Sequence, residues 1–416
     1  MIPVDAAMGG LVSLPGCALV ELAGERAIDG VQPRWGLHPK DGPALAEAVS
    51  ALRENGLAAI VRGGGNRLAQ GNPPTRGDVL LSMERVSGIE ELDADEGVCR
   101  ARGGTALSEI REAANASGWE LPLDAPGAGA TLGGVVAAAA TGPRAHGFGA
   151  PREILLGLDV VLGTGERTRC GGRVVKNVTG YDLAKLYTGS LGTLGVIEAI
   201  WLRLCPLPER VVCYALETSG IADACRVGLQ ASRRASVRAV ALASSASGAR
   251  VALELAGQEA AVQHDGHWLS REFGARQSDV AALDELRGLQ LLRGEAPELR
   301  FRFSILASRF EKSAVALTAA GAAILAHPGR GLLEASFPVG ASREDDGEGS
   351  AAAYRVAAEL ASSGGGGFSI AAAPRWVKEE HDTFGAPREQ IALFRALKES
   401  FDPDAVLNPG RMAGGL

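Results

Sequence analysis

Two glycine-rich segments carry the strongest chemical signal in this 416-residue chain. Val61-Arg-Gly-Gly-Gly-Asn-Arg67 comes first, and Asp124-Ala-Pro-Gly-Ala-Gly-Ala-Thr-Leu-Gly-Gly134 follows about 65 residues later. A third run, Gly189-Ser-Leu-Gly-Thr-Leu-Gly195, repeats the theme. Glycine lets a backbone approach a ligand closely because it has no Cβ, and successive N–H groups can then converge on an anion. A diphosphate is the natural guest for Gly63, Gly64, Gly65 and Asn66. Charge-assisted bonds of this kind contribute about 1.5–3 kcal/mol each, so three give roughly 5–9 kcal/mol. That is most of a micromolar affinity and less than a nanomolar one. The second segment must therefore hold the ligand too, Thr131 through its hydroxyl and Leu132 to Gly134 through their N–H groups.

Side chains suited to proton transfer or anion recognition are fewer. His146 reads either as a loop histidine bonded to backbone or as a proton-transfer group. Arg375 and Lys378 read either as a solvated helix face or as a pair that recognises a carboxylate. Lys176 and Tyr181 either close a hairpin or stand beside the ligand. Asn408 and Arg411 either end the chain plainly or reach back to the first domain. His264 and His267 form an H-x-x-H pair, but two ligands are not a metal site, and none is expected. The six cysteines (Cys17, Cys99, Cys170, Cys205, Cys213 and Cys225) include no C-x-x-C pair. That speaks against zinc-ribbon and iron–sulfur ligand sets and for reduced, buried, cytosolic thiols.

The elements that would position these residues can be read in order. Residues 41–55 have Leu45, Val49 and Leu52 at helical spacing, with Asn55-Gly56 as the stop. A short apolar strand, 57–61, then feeds the first glycine segment. Strands are expected at 78–82 and 97–101, with Thr105 capping a helix through Ser117. Residues 154–162 and 166–170 form a hairpin, Asp182 caps a short helix to Tyr187, and 194–204 is a long apolar strand. Pro206 and Pro208 mark a boundary. Beyond it, strands at 211–216, 237–242, 250–255, 299–306, 331–338 and 367–371 alternate with helices at 222–232, 309–325 and 352–362, an α+β pattern. Residues 342–350 read as an exposed acidic loop. The last helix, 391–401, precedes the turn Asn408-Pro-Gly-Arg411. The division is 1–208, 209–385 and 386–416.

The bulk properties exclude several classes. Net charge is −7, which argues against a general nucleic-acid binder. No apolar run approaches the ~20 residues needed to span a bilayer. The N-terminus lacks a basic region before Leu11, and Leu14-Pro-Gly-Cys17 is a chance likeness to a lipoprotein box, so a cytoplasmic protein is expected. A Rossmann site fails because the third glycine of G-x-G-x-x-G is missing after Gly65, and Pro73-Pro74 prevents a helix from starting at once. No G-x-x-x-x-G-K-[ST] loop is present.

The ordered set Gly63-Gly-Gly-Asn-Arg67, Thr131-Leu-Gly-Gly134, Phe148-Gly-Ala-Pro-Arg-Glu153, Lys176-Asn-Val-Thr-Gly-Tyr-Asp-Leu183, Gly189-Ser-Leu-Gly-Thr-Leu-Gly195 and Leu407-Asn-Pro-Gly-Arg411 resembles the FAD-binding family typified by vanillyl-alcohol oxidase and p-cresol methylhydroxylase (PCMH). Within it, the smaller FAD-binding subunits of glycolate oxidases are most similar. The resemblance covers residues 41–208 densely, and the C-terminus. It implies an α+β fold: a two-subdomain PCMH-type FAD-binding domain, an α+β cap domain, and a C-terminal segment returning to the FAD domain. It implies FAD contacts at Val61, Arg62, Gly63, Gly64, Gly65, Asn66 and Arg67, at Asp124, Pro126, Gly127, Thr131, Leu132, Gly133 and Gly134, at Ala138 and Thr141, and at Gly192, Gly195, Val196 and Ile197.

Two departures from the family shape the functional expectation. Members with covalent flavin use a histidine in the first loop or a cysteine near the second. Here the first position is Asn66, and no cysteine lies between Cys99 and Cys170, so FAD is expected to be non-covalent. Larger relatives carry an H-x-G-D-G-N-x-H metal motif in the cap, which this chain lacks, and Leu191 stands where relatives usually have an acid. The resemblance implies a flavoprotein subunit of a complex oxidising glycolate or another small 2-hydroxy acid. Its partners would be a larger FAD subunit and an iron–sulfur subunit, through which it would meet the inner face of a membrane. A stand-alone FAD oxidoreductase and a non-catalytic flavin-fold assembly subunit are the alternatives.

Overall fold

The computed structural model describes residues 10–23, 27–173, 182–245, 248–290, 298–364, 366–385 and 388–416. They form two compact units. The first comprises Met1–Ala140, Ala150–Leu207 and Ala386–Leu416, and the second Thr141–Gly149 and Pro208–Gly385. The terminal segment thus rejoins the first unit, as expected, and the short stretch with His146 belongs to the second.

The first unit opens with β1 (Cys17–Glu21), β2 (Trp35–Pro39), α1 (Gly42–Glu54), β3 (Ala59–Arg62) and β4 (Val79–Ser82). The strands make a sheet of order β1-β2-β4-β3, in which β2, β4 and β3 run parallel. Helix α1 forms where the periodicity places it. Leu45, Ala48, Val49 and Leu52 are buried on one face, and the Asp41 carboxylate accepts from the Ala44 N–H at 2.9 Å as N-cap. Gly56 follows with φ +64°, a left-handed conformation that stops the helix.

A second sheet contains β5 (Ile89–Asp93), β6 (Val98–Arg102), β8 (Leu155–Val161), β9 (Arg167–Gly171) and β10 (Val196–Arg203), in the antiparallel order β5-β6-β10-β8-β9. Between β6 and β8 come α2 (Leu107–Ala116), β7 (Trp119–Glu120), α3 (Leu132–Ala137), α4 (Ala145–Phe148) and α5 (Pro151–Ile154). Before and after β10 lie α6 (Leu183–Tyr187) and β11 (Cys205–Pro206). Leu107, Ile110, Leu132 and Val136 bury against Ile197 and Ile200 of the central strand. Thr105 does not cap α2, because Ala106 occupies the N-cap position. The buried Thr105 hydroxyl instead donates to the Gly88 carbonyl at 3.1 Å and accepts from the Gly88 N–H at 2.9 Å, pinning the turn before β5. Asp182 stands at the start of α6 without a side-chain capping bond.

The second unit is built on one antiparallel sheet of eight strands: β12 (Arg210–Thr218), β13 (Val237–Ser245), β14 (Gly248–Gly257), β15 (Arg276–Ser278), β16 (Glu298–Ser304), β17 (Ala323–His327), β18 (Leu332–Pro338) and β19 (Phe368–Ala372). Their order is β15-β12-β14-β13-β17-β18-β16-β19. The main core packs sheet residues such as Leu253, Phe301 and Leu333 against α7 (Ile221–Ala231), α8 (Glu259–Phe273), α10 (Ala307–Ala319) and α11 (Arg343–Gly364). A smaller cluster joins Ala239, Ala241 and Leu325 to α9 (Ala281–Gly288).

Two further expectations are corrected here, and one helix is added. The helix expected to run to residue 325 ends at Ala319, and Gly321, at φ +91°, turns the chain into β17, a central strand. The expected acidic loop at 342–350 is mostly helical. Glu344, Asp345 and Asp346 stand in the first turn of α11, where the helix dipole favours negative charge, with a non-helical break at Asp346. Helix α8, unexpected from the sequence, carries His264 and His267.

Candidate functional site

In the first unit, β3 delivers the chain into Gly63 and α3 begins just after Thr131. The two glycine segments therefore meet. The Gly64 N–H donates to Thr131 Oγ1 at 3.2 Å, and the Asn66 side-chain amide donates to the Ala128 carbonyl at 3.2 Å. A Cβ on Gly64 would lie 1.9 Å from the Gly129 carbonyl oxygen, and one on Gly63 would lie 2.3 Å from Thr131 Oγ1. These two glycines admit one loop to the other. Gly65 has φ +80° and supplies the turn. The sequence reading gave the Gly64 N–H to a diphosphate, whereas the folded loop gives it to Thr131.

An open cleft lies beside these loops, with about 620 Å³ of space that includes the solvent at its mouth. Val61, Gly63, Gly64, Gly65, Asn66, Arg67, Pro126, Thr131, Gly134 and Ala138, all singled out from the sequence, line it. So do Leu68, Ala125, Ala130, Val135, Ala137, Ala140, Leu191 and Arg411. Other expected contacts lie elsewhere. Arg62 is the last residue of β3 and is not part of the lining. Asp124 and Leu132 are buried, and Gly127 turns the chain with φ +109°. Gly133 packs on Gly103, and a Cβ on Gly195 would strike Val160 at 2.5 Å. Val196 and Ile197 belong to the core of β10. Gly192 faces the side chain of Asn408, and Thr141 belongs to the second unit.

The C-terminal segment braces the cleft. Helix α13 (Arg388–Phe401) leads into residues 402–411, and Leu407 pairs in parallel with Ala59, extending the small sheet past β3. Asn408, buried and at φ +47°, accepts from the Val61 N–H at 3.1 Å through its side-chain oxygen. Its amide donates to the carbonyls of Leu191 at 2.9 Å and Gly192 at 3.2 Å. Lys398 donates to Thr193 O, Leu407 O and the Asp402 carboxylate, and burial pushes its pKa down although Asp402 opposes the shift. Asp402 in turn accepts from the N–H groups of Val406 and Leu407. Arg411 donates to Leu68 O at 2.6 Å and to Gln70 O, in the stretch just after the first glycine loop. The Asn-Pro-Gly turn was the sequence signal for this arrangement, but not for its target.

The weaker candidates are dispersed. His146 packs in the second unit against the backbone of Gly329 and Ser232, and burial lowers its pKa although those contacts oppose the shift. Arg375 pairs with Glu379 at 2.6 Å on the exposed side of α12 (Arg375–Glu380), while Lys378 is buried. Lys176 and Tyr181 lie outside the described residues. His264 and His267 are exposed on α8, and among the described residues no group of three His, Cys, Asp or Glu side chains could hold a metal.

Known proteins share the segment that carries most of this cleft. Residues 34–171 match the model of an FAD binding domain. D-lactate dehydrogenase of Archaeoglobus fulgidus is 34% identical over 46% of this chain and 44% of its own length. Glycolate oxidase subunit GlcE of Escherichia coli is 36% identical over 42% of this chain and 50% of its own. The chain thus spans about half the length of these curated relatives. Glycolate oxidase subunit GlcD of Bacillus subtilis matches at 24% identity over 90% of this chain and 87% of its own. A solved alkyldihydroxyacetonephosphate synthase shares the fold with a TM-score of 0.67 at 15% identity, covering 91% of this chain and 77% of the synthase. Residues 34–171 thus match an FAD binding domain, and the chain shares the PCMH-type FAD-binding fold.

Proposed function

We propose that this chain is the FAD-carrying subunit of a complex that oxidises a small 2-hydroxy acid of the glycolate or D-lactate class. One observation carries the reading: a cleft whose lining runs from Val61 to Ala140, with Leu191 and Arg411 added, falls largely within the FAD binding domain match of a chain similar to D-lactate dehydrogenase and a glycolate oxidase subunit. The fit to FAD rests on the lining. Small apolar side chains (Ala125, Ala130, Ala137, Ala138) leave room for a flat ring system, and the described lining includes Arg67 and Arg411 but no acid. FAD bound there would accept two electrons from the hydroxyl-bearing carbon. The chain's own work is to bind and orient. The glycine loop would approach the diphosphate, Arg67 and Arg411 would set the positive potential, and the Ala-rich wall would exclude water from the ring.

The larger FAD subunit and the iron–sulfur subunit would supply the remaining electron path. A cytoplasmic setting, reaching the inner face of a membrane through those partners, fits this role. Among the described residues no helix is long and apolar enough to cross a membrane. Attachment of the flavin would be non-covalent, since Asn66 offers an amide whose nitrogen already serves Ala128.

The purified chain is expected to show flavin absorption bands and to release the chromophore into the supernatant on acid precipitation. Glycolate or D-lactate is expected to bleach the bands in the assembled complex. A colourless chain that takes up no FAD would end the reading. Bleaching of the isolated chain at the same rate would replace the subunit with a stand-alone oxidoreductase.

A further inference from the structure

Arg411 combines three features that none of the sequence motifs assigned to it. Its side chain lines the cleft, only 3% of the residue is exposed, and its Nε–H has no partner among the described residues. Its Nη2 is committed to Leu68 O and Gln70 O, so the guanidinium is fixed beside the stretch that follows the Gly63–Arg67 loop. Burial lowers its pKa to about 10, which leaves it charged at neutral pH, with Asp29 as a supporting acid. A buried N–H left without a partner is costly until an acceptor arrives. Arg67 and Arg411 together bring two positive charges to a described lining without an acid. The diphosphate of FAD brings two negative ones.

We infer that Arg411 is a phosphate-binding residue of the FAD site, carried into the cleft by the C-terminal tail. With Nη2 held by Leu68 O and Gln70 O, the guanidinium keeps its charge and offers its Nε–H to a phosphate oxygen from a fixed position. The tail's other contacts serve this placement: Leu407 on Ala59 and Asn408 on Val61 and Leu191 fix the chain three to four residues before the arginine.

The inference rests on the FAD assignment of the cleft and is independent of the substrate. The test is binding to the full-length chain after removal of its flavin, with FAD, ADP (diphosphate without flavin) and riboflavin (flavin without phosphate) as probes. Arg411→Gln is expected to weaken FAD and ADP at least tenfold and to change riboflavin by less than about twofold. An equal loss for riboflavin overturns the inference and leaves Arg411 as a brace for Leu68–Gln70. Unchanged ADP affinity overturns it as well. If Arg411→Gln does not fold by circular dichroism, Arg411→Lys decides: the ratio of ADP to riboflavin affinity is expected to fall several-fold, because an ammonium has no N–H at the Nε position, and an unchanged ratio overturns the proposal. Failure of the unmodified chain to bind FAD would overturn the cleft assignment itself.

Discussion

At the scale of single residues, the glycines and Asn408 govern the site by different physics. Gly64 is required by proximity: a Cβ there meets backbone, the Gly129 carbonyl, which cannot swing away as a side chain can. Gly64→Ala is therefore expected to push the two loops apart and lose FAD in equilibrium dialysis, with the second unit still folded by near-UV circular dichroism. Native FAD affinity in that variant would mean that the loops do not pack this way. Asn408 is required by both its amide and its left-handed backbone. Asn408→Gly keeps the backbone and leaves three polar groups of Val61, Leu191 and Gly192 without this partner, a cost of about 3 kcal/mol. Asn408→Ala adds about 1 kcal/mol for φ +47°. Urea unfolding of the two variants separates the terms, and equal stabilities would remove the backbone from the account. The glycine loops were legible in the sequence because composition alone marks a close backbone approach. That Thr131 takes the Gly64 N–H was not, because a bond across 67 residues leaves no local signature.

At the scale of elements, the second unit depends on a buried carboxylate. Glu254 of β14 has a fully buried side chain and receives Arg144 at 2.6 Å and Arg238 at 2.7 Å. Burial pushes its pKa up, but the bonds and charges of the two guanidiniums outweigh that and hold it below the ordinary 4.5. A carboxyl depressed in the folded state lends stability that is complete above the unfolded value and is lost as pH falls through the folded one. The melting temperature of the second unit is thus expected to decline below pH ~4.5. Glu254→Gln should flatten that decline and cost about 3 kcal/mol at neutral pH, since two guanidiniums would then face a neutral amide. An unchanged acid limb in Glu254→Gln would assign the decline to other carboxylates, with Glu334 beside Arg302 first in line. The same unit shows where element reading fails. Helix α1 was legible because apolar spacing, an Asp41 cap and a Gly56 stop agree. Strand β17 was not, because residues 316–326 are so rich in Ala that neither period stands out, and only Gly321 marks the turn.

At the scale of the whole molecule, the first unit is assembled from distant parts of the chain. Residues 208–385 intervene before the segment that completes it. That segment supplies more than a cover. Phe401 packs edge-on against Tyr187 with ring centroids 5.8 Å apart, Leu407 extends the sheet at Ala59, and Arg411 lines the cleft. Contacts of such sequence separation form late, because loop closure must come before they contribute. The cleft is therefore expected to close only when residues 386–416 are present, whereas the eight-stranded sheet has all its strands by Ala372. A chain ending at residue 385 is expected to keep the second unit, seen as protected amides in β13 and β14 by hydrogen exchange. It is expected to hold FAD at least a hundredfold more weakly than the full chain, since Asn408, Lys398 and Arg411 depart together. Adding the missing segment in trans as a peptide covering 386–416 should restore part of that affinity. Native FAD binding by the shortened chain would show that the tail only covers a site already complete without it.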